Sequence, residues 1–438
     1  MKPSILLNLS ILCLLFGFGR TAVAAVLIHE QDDTKIDFQL SLKAAVFQNN
    51  DAWFGVDEEF LGADVNNWAE QAIEFGFSAQ TSAFGGTLFG ELTAIQTRTY
   101  GEDASGLGIG VTDPSAILIE QGYVGWKSGE GFFGLAADAL TLKAGRFDYS
   151  IGSGLQISDG GADGGDQGGW YLGARNAFKK AFLASLNTDS LLLEGFYLEN
   201  QPRKGGVIGT VYGSNLEYLF EPLGLTFGAT YFDVNDPNSF DFGDFNVISL
   251  RATWETPDQD FILDVELVKQ GEDADGEGYW LNGSYQWQDT IWSPTLSYRF
   301  AHLSGDDLST TADERFRTVA YGFSDYGSWF QGEIAGDYLL ENSNLDSHLI
   351  RLQLTPTQTL AFNVLYYKFE LDQQQLFGAP LTDSHFGDEL DLVLDWVASD
   401  SLYVTFALGW LQPGDAAKEW TGGENDWLSS MVYLTYSL

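Results

Sequence analysis

The sequence predicts an all-β protein, a transmembrane antiparallel β-barrel of about 18 strands with long extracellular loops and short periplasmic turns. Three observations carry this expectation. Short segments alternate apolar and polar residues, as where Ile36, Phe38, Leu40, Leu42, Ala44 and Val46 interleave with Asp37, Gln39, Ser41 and Lys43. A strand with that period of two turns one face to lipid and the other to a polar lumen. The connections between segments are alternately very short and long. After residue 24, no stretch offers the roughly 18 uninterrupted apolar residues of a membrane helix.

The chain opens with Lys2, an apolar run from Ile5 to Phe18 and small residues ending in Ala22-Val23-Ala24, which reads as a secretory signal peptide over 1–24, cut near Ala24 or Ala25. The domain expected after it is a single barrel over 25–438. The one cysteine, Cys13, lies in the leader, so the mature chain carries no thiol, as suits an exported protein without disulfides.

Strands are expected near 36–47, 69–81, 87–97, 117–126, 139–147, 177–186, 190–199, 210–220, 224–232, 247–255, 261–269, 279–287, 291–302, 347–355, 359–371, 388–397, 401–411 and 427–438. Their number is even, as bacterial single-chain barrels require. Tight turns such as 83–86, 187–189, 221–224 and 398–400 belong on the periplasmic side. Long connections at 48–68, 98–116, 148–176, 233–246, 303–346, 372–387 and 412–426 then face outward. Trp126, Phe220, Trp254, Trp287, Trp292 and Trp396 all fall at strand ends beside short turns, where amphipathic rings prefer the headgroup layer. The last strand alternates up to Leu438 and is similar to the terminal strand read by the barrel assembly machinery, with Leu where Phe is usual.

The chain has 62 acidic and 21 basic side chains, a formal charge of −41, and becomes two units more acidic once Lys2 and Arg20 leave with the leader. That excludes nucleic acid as a partner, because phosphate neutralisation needs a basic surface. Parity puts Lys43, Lys143, Arg251, Arg299 and Arg351 on the lumen face, together with Asp37, Glu74, Glu91, Glu194, Asp264, Glu266, Asp391 and Asp395. A Lys or Arg facing lipid at midplane would cost about 2–4 kcal/mol. The wall is therefore mixed, and its arginines can guide carboxylated or hydroxylated solutes. The acid-rich stretches 158–166 and 272–277 suggest cation-gathering loops, against the plainer reading of solvated loops. Neither has full EF-hand spacing, and no metal site or cofactor is assigned.

Leu140-Thr141-Leu142-Lys143-Ala144-Gly145-Arg146-Phe147, followed by Gly152-Ser153-Gly154-Leu155, is a strand closing in Gly-Arg and running into a Gly-rich loop. Trp170, Arg175-Asn176-Ala177-Phe178, Leu193-Glu194-Gly195-Phe196-Tyr197, Gly327-Ser328-Trp329-Phe330-Gln331-Gly332-Glu333 and Leu352-Gln353-Leu354-Thr355-Pro356 follow in order. Over roughly 117–371 this resembles the alginate-export family of outer-membrane barrels and, more distantly, substrate-specific porins. The resemblance implies an 18-stranded monomer with loops folded over a narrow pore, a conduit for an anionic polysaccharide drawn through by arginines and lysines. On that pattern Arg146 and Arg175 join Lys43, Lys143, Arg251, Arg299 and Arg351 as solute-contacting candidates. The departure is the acid excess: if Glu91, Asp264, Glu266, Asp391 and Asp395 stand unpaired in the lumen, a polyanion is repelled.

The expected function is an outer-membrane porin that passes a hydrophilic solute, either an anionic polysaccharide such as alginate or a smaller saccharide or organic acid. The expected partners are that solute, outer-membrane lipid and lipopolysaccharide, and the barrel assembly machinery. One alternative is a surface receptor or structural barrel with cation-binding loops. Another is a barrel-embedded lipid hydrolase built on His302 and Ser304, for which no orienting acid is legible; the chain is not expected to be an enzyme. No phosphate-binding Gly-Lys-Ser/Thr loop signals energy input.

Overall fold

The computed structural model describes residues 25–104, 113–161, 167–200, 209–235, 243–272, 274–325 and 328–438; the expected leader, 1–24, lies outside them. Eighteen antiparallel strands close a barrel: β1 (Thr34–Asn50), β2 (Asn67–Ala83), β3 (Gly86–Tyr100), β4 (Ser115–Ser128), β5 (Leu140–Phe147), β6 (Phe178–Asn187), β7 (Leu191–Glu199), β8 (Thr210–Phe220), β9 (Leu225–Asn235), β10 (Phe245–Glu255), β11 (Phe261–Glu272), β12 (Glu277–Gln286), β13 (Thr295–Leu303), β14 (Leu345–Thr357), β15 (Leu360–Glu370), β16 (His385–Ser399), β17 (Leu402–Pro413) and β18 (Trp427–Ser437). Each pairs with its sequence neighbour, and β1 meets β18 from Ser41 opposite Ser437 to Asn50 opposite Leu428. Closure removes the free sheet edges that a membrane cannot solvate.

All eighteen expected strands are present. The one expected over 291–302 begins later, at Thr295, because Trp292 and Ser293 take positive φ ahead of Pro294 and turn the chain instead. One strand was not foreseen. Ala25–Gln31 pairs with the lower part of β1, from Ala25 opposite Gln39 to Gln31 opposite Thr34, directly beyond the end of β18. All its residues are exposed.

The outer wall is apolar, with Val46, Phe75, Phe77, Leu92, Ile119, Leu250, Leu267 and Ile350 among its exposed side chains. Those positions need hydrocarbon, not water, against them. At the short-turn end Phe220, Trp254, Trp287, Trp292 and Trp396 are exposed. The indoles of Trp126 and Trp254 donate to the turn carbonyls of Ala83 (3.1 Å) and Leu223 (3.1 Å), which gives the girdle rings the polar handle that an interface favours.

The interior is not simply polar. Two apolar cores lie within the wall, one containing Phe47, Trp68, Tyr171, Ile334, Tyr338, Leu365, Trp427 and Tyr433, the other Phe147, Leu155, Ile157, Phe196, Phe232, Phe316 and Phe330. Their members come both from strands and from the connections 148–177 and 304–344, so these two long loops fold into the barrel. Tyr338 stacks on Trp427 at 5.8 Å between ring centroids and lies 5.2 Å from Trp170. A short π-helical turn, Ala335–Leu339, presents this surface.

Candidate functional site

The two infolded loops meet and lock. Ile157 pairs with Ala320 in a parallel bridge; Ala320 N–H donates to the Gln156 carbonyl (2.8 Å), and the Ala320 carbonyl accepts from Ser158 (2.7 Å) and Asp159 (2.9 Å). Deeper in, the Tyr171 hydroxyl of the first loop donates to Glu333 Oε2 of the second at 2.5 Å.

The wall then holds both loops through groups that accept backbone N–H or donate to backbone carbonyls. Glu389 takes the amides of Ile334 and Ala335, each at 2.8 Å, and Asp391 takes that of Glu333 at 3.1 Å. Arg299 donates to the Phe330 carbonyl and lies over the Phe330 ring, 4.4 Å from its centroid. For the first loop, Glu70 accepts from Leu172 N–H (3.0 Å), Glu120 from Ala177 N–H (2.8 Å) and Glu266 from the Ser153 hydroxyl (2.6 Å). Charge-assisted bonds of this kind are roughly twice as strong as neutral ones. Small residues make the approach possible. A Cβ at Gly332, where φ is +88°, would sit 2.8 Å from Glu389 Oε1, and one at Gly409 would sit 3.1 Å from Asp391 Oδ1 and 3.2 Å from Ile334 Cδ1.

Local backbone geometry aims the Gly-Arg pair of β5. Strand parity sends Arg146 outward, and its pairing opposite Gly122, beside the outward Leu92 and Ile119, agrees; the register shift between Gly145 and Phe147 places its extra residue on β6, and Gly145 takes φ +132°. There a Cβ would meet the Gly122 carbonyl at 2.4 Å. Arg146 reaches along β4, where its Nε donates to the Glu120 carbonyl at 2.9 Å and its guanidinium lies 3.7 Å from the Glu120 carboxylate. Arg175, arriving on the first loop, lies 3.9 Å from the same carboxylate and also donates to Gln167.

The residues singled out in the sequence thus separate into two groups. Arg175, Arg299 and Arg351 are buried; Arg351 donates to Asn363 (3.0 Å) and Ser297 (3.4 Å). Lys43, Lys143 and Arg251 are partly exposed on the lumen side, with 11% of the Arg251 side chain accessible, and Arg146 is partly exposed from the outer side of its strand. Lys143 lies over Tyr123 (3.7 Å) and Phe147 (4.2 Å). Arg251 donates to Thr230 (2.9 Å), Ser249 (3.2 Å) and Asn215 (2.7 Å), with Glu217 at 3.5 Å. It fills the space left by the missing side chains of Gly152 and Gly228.

The acids have partners. Tyr123 donates to Glu91 (2.8 Å), Thr253 to Asp264 (2.8 Å), Ser249 and Trp280 to Glu266 (2.8 and 3.2 Å), and Tyr403 and Thr405 to Asp395 (2.5 and 2.7 Å). Sequence reading passed over Glu70, Glu120, Glu333 and Glu389. For Glu389 a signal was present, since it shares a strand face with Asp391 and Asp395 and three acids so placed exceed what a wet wall needs. The Ser–His pairing does not form: Ser304 donates to the Glu314 carbonyl (2.6 Å), while the outward His302 sits 2.7 Å from Asp346. The acid-rich stretches 158–166 and 272–277 fall partly outside the described residues, at 162–166 and 273.

Burial pushes the Glu333 carboxyl up to about 7, against the bond from Tyr171; Ser328 also faces it, with Glu389, Asp391 and Asp395 of β16 near it. A carboxyl raised on folding stabilises below the unfolded value of 4.5, and that contribution fades as pH climbs through about 7. Cleavage within loop 304–344 by added protease should accordingly be slower at pH 5 than at pH 8. Glu333→Gln should flatten that difference, and an unchanged pH profile in the variant would assign it to another group.

Barrel, girdle and infolded loops define an outer-membrane β-barrel of porin architecture. Residues 241–427 match the model of the alginate export family, which bears out the resemblance over that region. The chain is similar in fold to OccK5 (OpdH) of Pseudomonas aeruginosa, at 14% identity over 91% of this chain and 97% of that one, with a TM-score of 0.56. It is similar also to OpdQ of the same organism (14%, 93% and 98%, 0.56) and to OpdK solved with vanillate (13%, 92% and 98%, 0.57). No curated protein matches.

Proposed function

We propose that this chain is an outer-membrane channel whose two infolded loops narrow the lumen, and that it passes small or oligomeric anionic solutes, an organic acid or an oligouronate. The carrying observation is the pair of infolded loops, locked to each other and to a charged wall. Buried carboxylates are engaged with loop amides, hydroxyls and arginines, and partial exposure on the lumen face is kept by Lys43, Lys143 and Arg251 together with Glu74, Glu91, Glu194 and Asp264. The lumen edge is therefore mixed in sign, and each of those acids is held by a neutral hydroxyl donor, from Thr93, Tyr123, Tyr149 and Thr253 in turn. Arg251 is the best placed to handle a carboxylate, since a guanidinium offers paired donors. OpdK, solved with vanillate, supplies an analogy of fold and solute class. The family match supports the longer, uronate-type solute. Residues 1–24 act in this reading as a cleaved export signal, and the mature barrel works as a monomer seated among lipopolysaccharide after delivery by the assembly machinery.

The test is the reversal potential of the refolded barrel in a planar bilayer under a salt gradient, with an oligouronate and a neutral oligosaccharide titrated on either side. Anion preference with block by the oligouronate is expected. Arg251→Gln should lower the anion preference and weaken the block severalfold, because the remaining partners of that site carry no positive charge. Cation preference without oligouronate block would confine the resemblance to the fold.

A further inference from the structure

On the outer face of the barrel, at its long-loop rim, His302 of β13, Asp346 of β14 and Asp372 just beyond β15 converge. Their ligand atoms all lie within 4.8 Å of one another, and His302 Nδ1 is 2.7 Å from Asp346 Oδ1. We propose that these three residues form a binding site for a transition-metal dication and that the ion clamps the stems of the constricting loop. The cluster is not merely acidic: an imidazole nitrogen with two carboxylates is a borderline donor set, suited to Zn²⁺ or its neighbours more than to Ca²⁺, which prefers six to eight oxygens.

Charge points the same way. Among the described residues no lysine or arginine forms an ion pair with Asp346 or Asp372, so a neutral imidazole and two carboxylates leave two negative charges that a dication cancels. Without the ion Asp346 holds His302 as an imidazolium; a cation seated there takes the Nδ1 lone pair, the Nδ1 proton leaves to solvent, and the ligating imidazole is neutral with its Nε2 proton kept. Outer partners are in place: Asp372 Oδ2 accepts from Gly305 N–H (2.9 Å) and from Gln373 (3.2 Å), and the His302 ring lies 5.0 Å from that of Tyr279. Such partners orient metal ligands.

The position in the fold gives the site a consequence. His302 and Asp346 face each other across β13 and β14, just outside the two ends of the connection 304–344, and Asp372 already holds the first part of that connection through Gly305. An ion bound here fastens the loop entry, its exit and the end of β15 together at the rim. Nothing in this depends on which solute the channel passes.

The test uses the full barrel purified in detergent, titrated with Zn²⁺ by calorimetry in two buffers of different ionisation enthalpy. One Zn²⁺ per chain with proton release is expected, together with slower protease cleavage inside loop 304–344. His302→Gln, Asp346→Asn and Asp372→Asn should each weaken binding by more than about tenfold, the lower range for losing even an outer partner. Asp372 lies outside every strand, so its variant keeps the test valid if a strand variant misfolds. His348→Gln is the control: His348 is one outward position along β14, engaged with the Tyr298 hydroxyl at 2.8 Å, and its loss should leave affinity unchanged. Affinity unchanged in the three ligand variants, equal loss in the His348 variant, or displacement of Zn²⁺ by equimolar Ca²⁺ would each overturn the assignment.

Discussion

Replacing Glu389 and Asp391 together by alanine is expected to raise single-channel conductance severalfold while the barrel stays closed. The two carboxylates accept three consecutive loop amides, those of Glu333, Ile334 and Ala335, and every residue involved is buried. Orphaning a buried polar group costs about 1–3 kcal/mol, so three orphaned amides weigh against the inward position by more than any one apolar contact supports it. Burial of a side chain the size of Ile334 supplies about 1.5–3 kcal/mol. The strands on either side of β16 remain paired throughout their length, which is why the barrel itself should survive. The loop should instead sample positions away from the wall, where solvent satisfies its amides and the lumen widens. Conductance traces and protease cleavage between residues 304 and 344 report the two halves of this expectation separately. If cleavage increases at unchanged conductance, the loop is anchored as described but does not set the bore.

How much of this was legible in the sequence follows from the physics of each feature. Strands were legible because lipid on one side and water on the other impose a period of two at every position; even the boundaries near Phe261 and Trp427 came out within a residue. The girdle was legible for the same reason. The infolding of 304–344 was implied by the family resemblance but not by the alternation, because a connection carries no period. Its clue was compositional, in that Ile334, Ala335, Tyr338, Leu339 and Leu340 are too apolar for a solvated loop. Parity also could not say whether a lumen-facing acid meets water or a loop amide, so Asp391 and Glu266 were read as wall charge and Glu389 was passed over. Arg146 marks the opposite limit. It keeps the outward facing that alternation with Leu140, Leu142 and Ala144 assigns, yet its guanidinium reaches the buried Glu120, and nothing in that alternation announces this. The N-terminal strand Ala25–Gln31 escaped because it continues the edge left by β18 instead of crossing the barrel.

Glu120→Ala is expected to be the most destabilising single change in the wall. One carboxylate, itself 1% exposed, stands between the guanidinium groups of Arg146 at 3.7 Å and Arg175 at 3.9 Å, and it also accepts the Ala177 amide. Removing one member of a buried ionic cluster costs about 3–5 kcal/mol, because the charges left behind have lost both water and their counter-ion. Glu120→Gln separates the contributions. An amide oxygen can still accept from Ala177, so the glutamine variant keeps the loop attachment and loses only the charge. Thermal unfolding in detergent should therefore rank wild type above Gln and Gln above Ala. Cleavage within 148–177 should rise in the alanine variant most. Equal stability of the wild-type and glutamine proteins, with alanine below both, would mean that the arginines draw their compensation from elsewhere in the first loop, and that Glu120 serves the Ala177 amide alone.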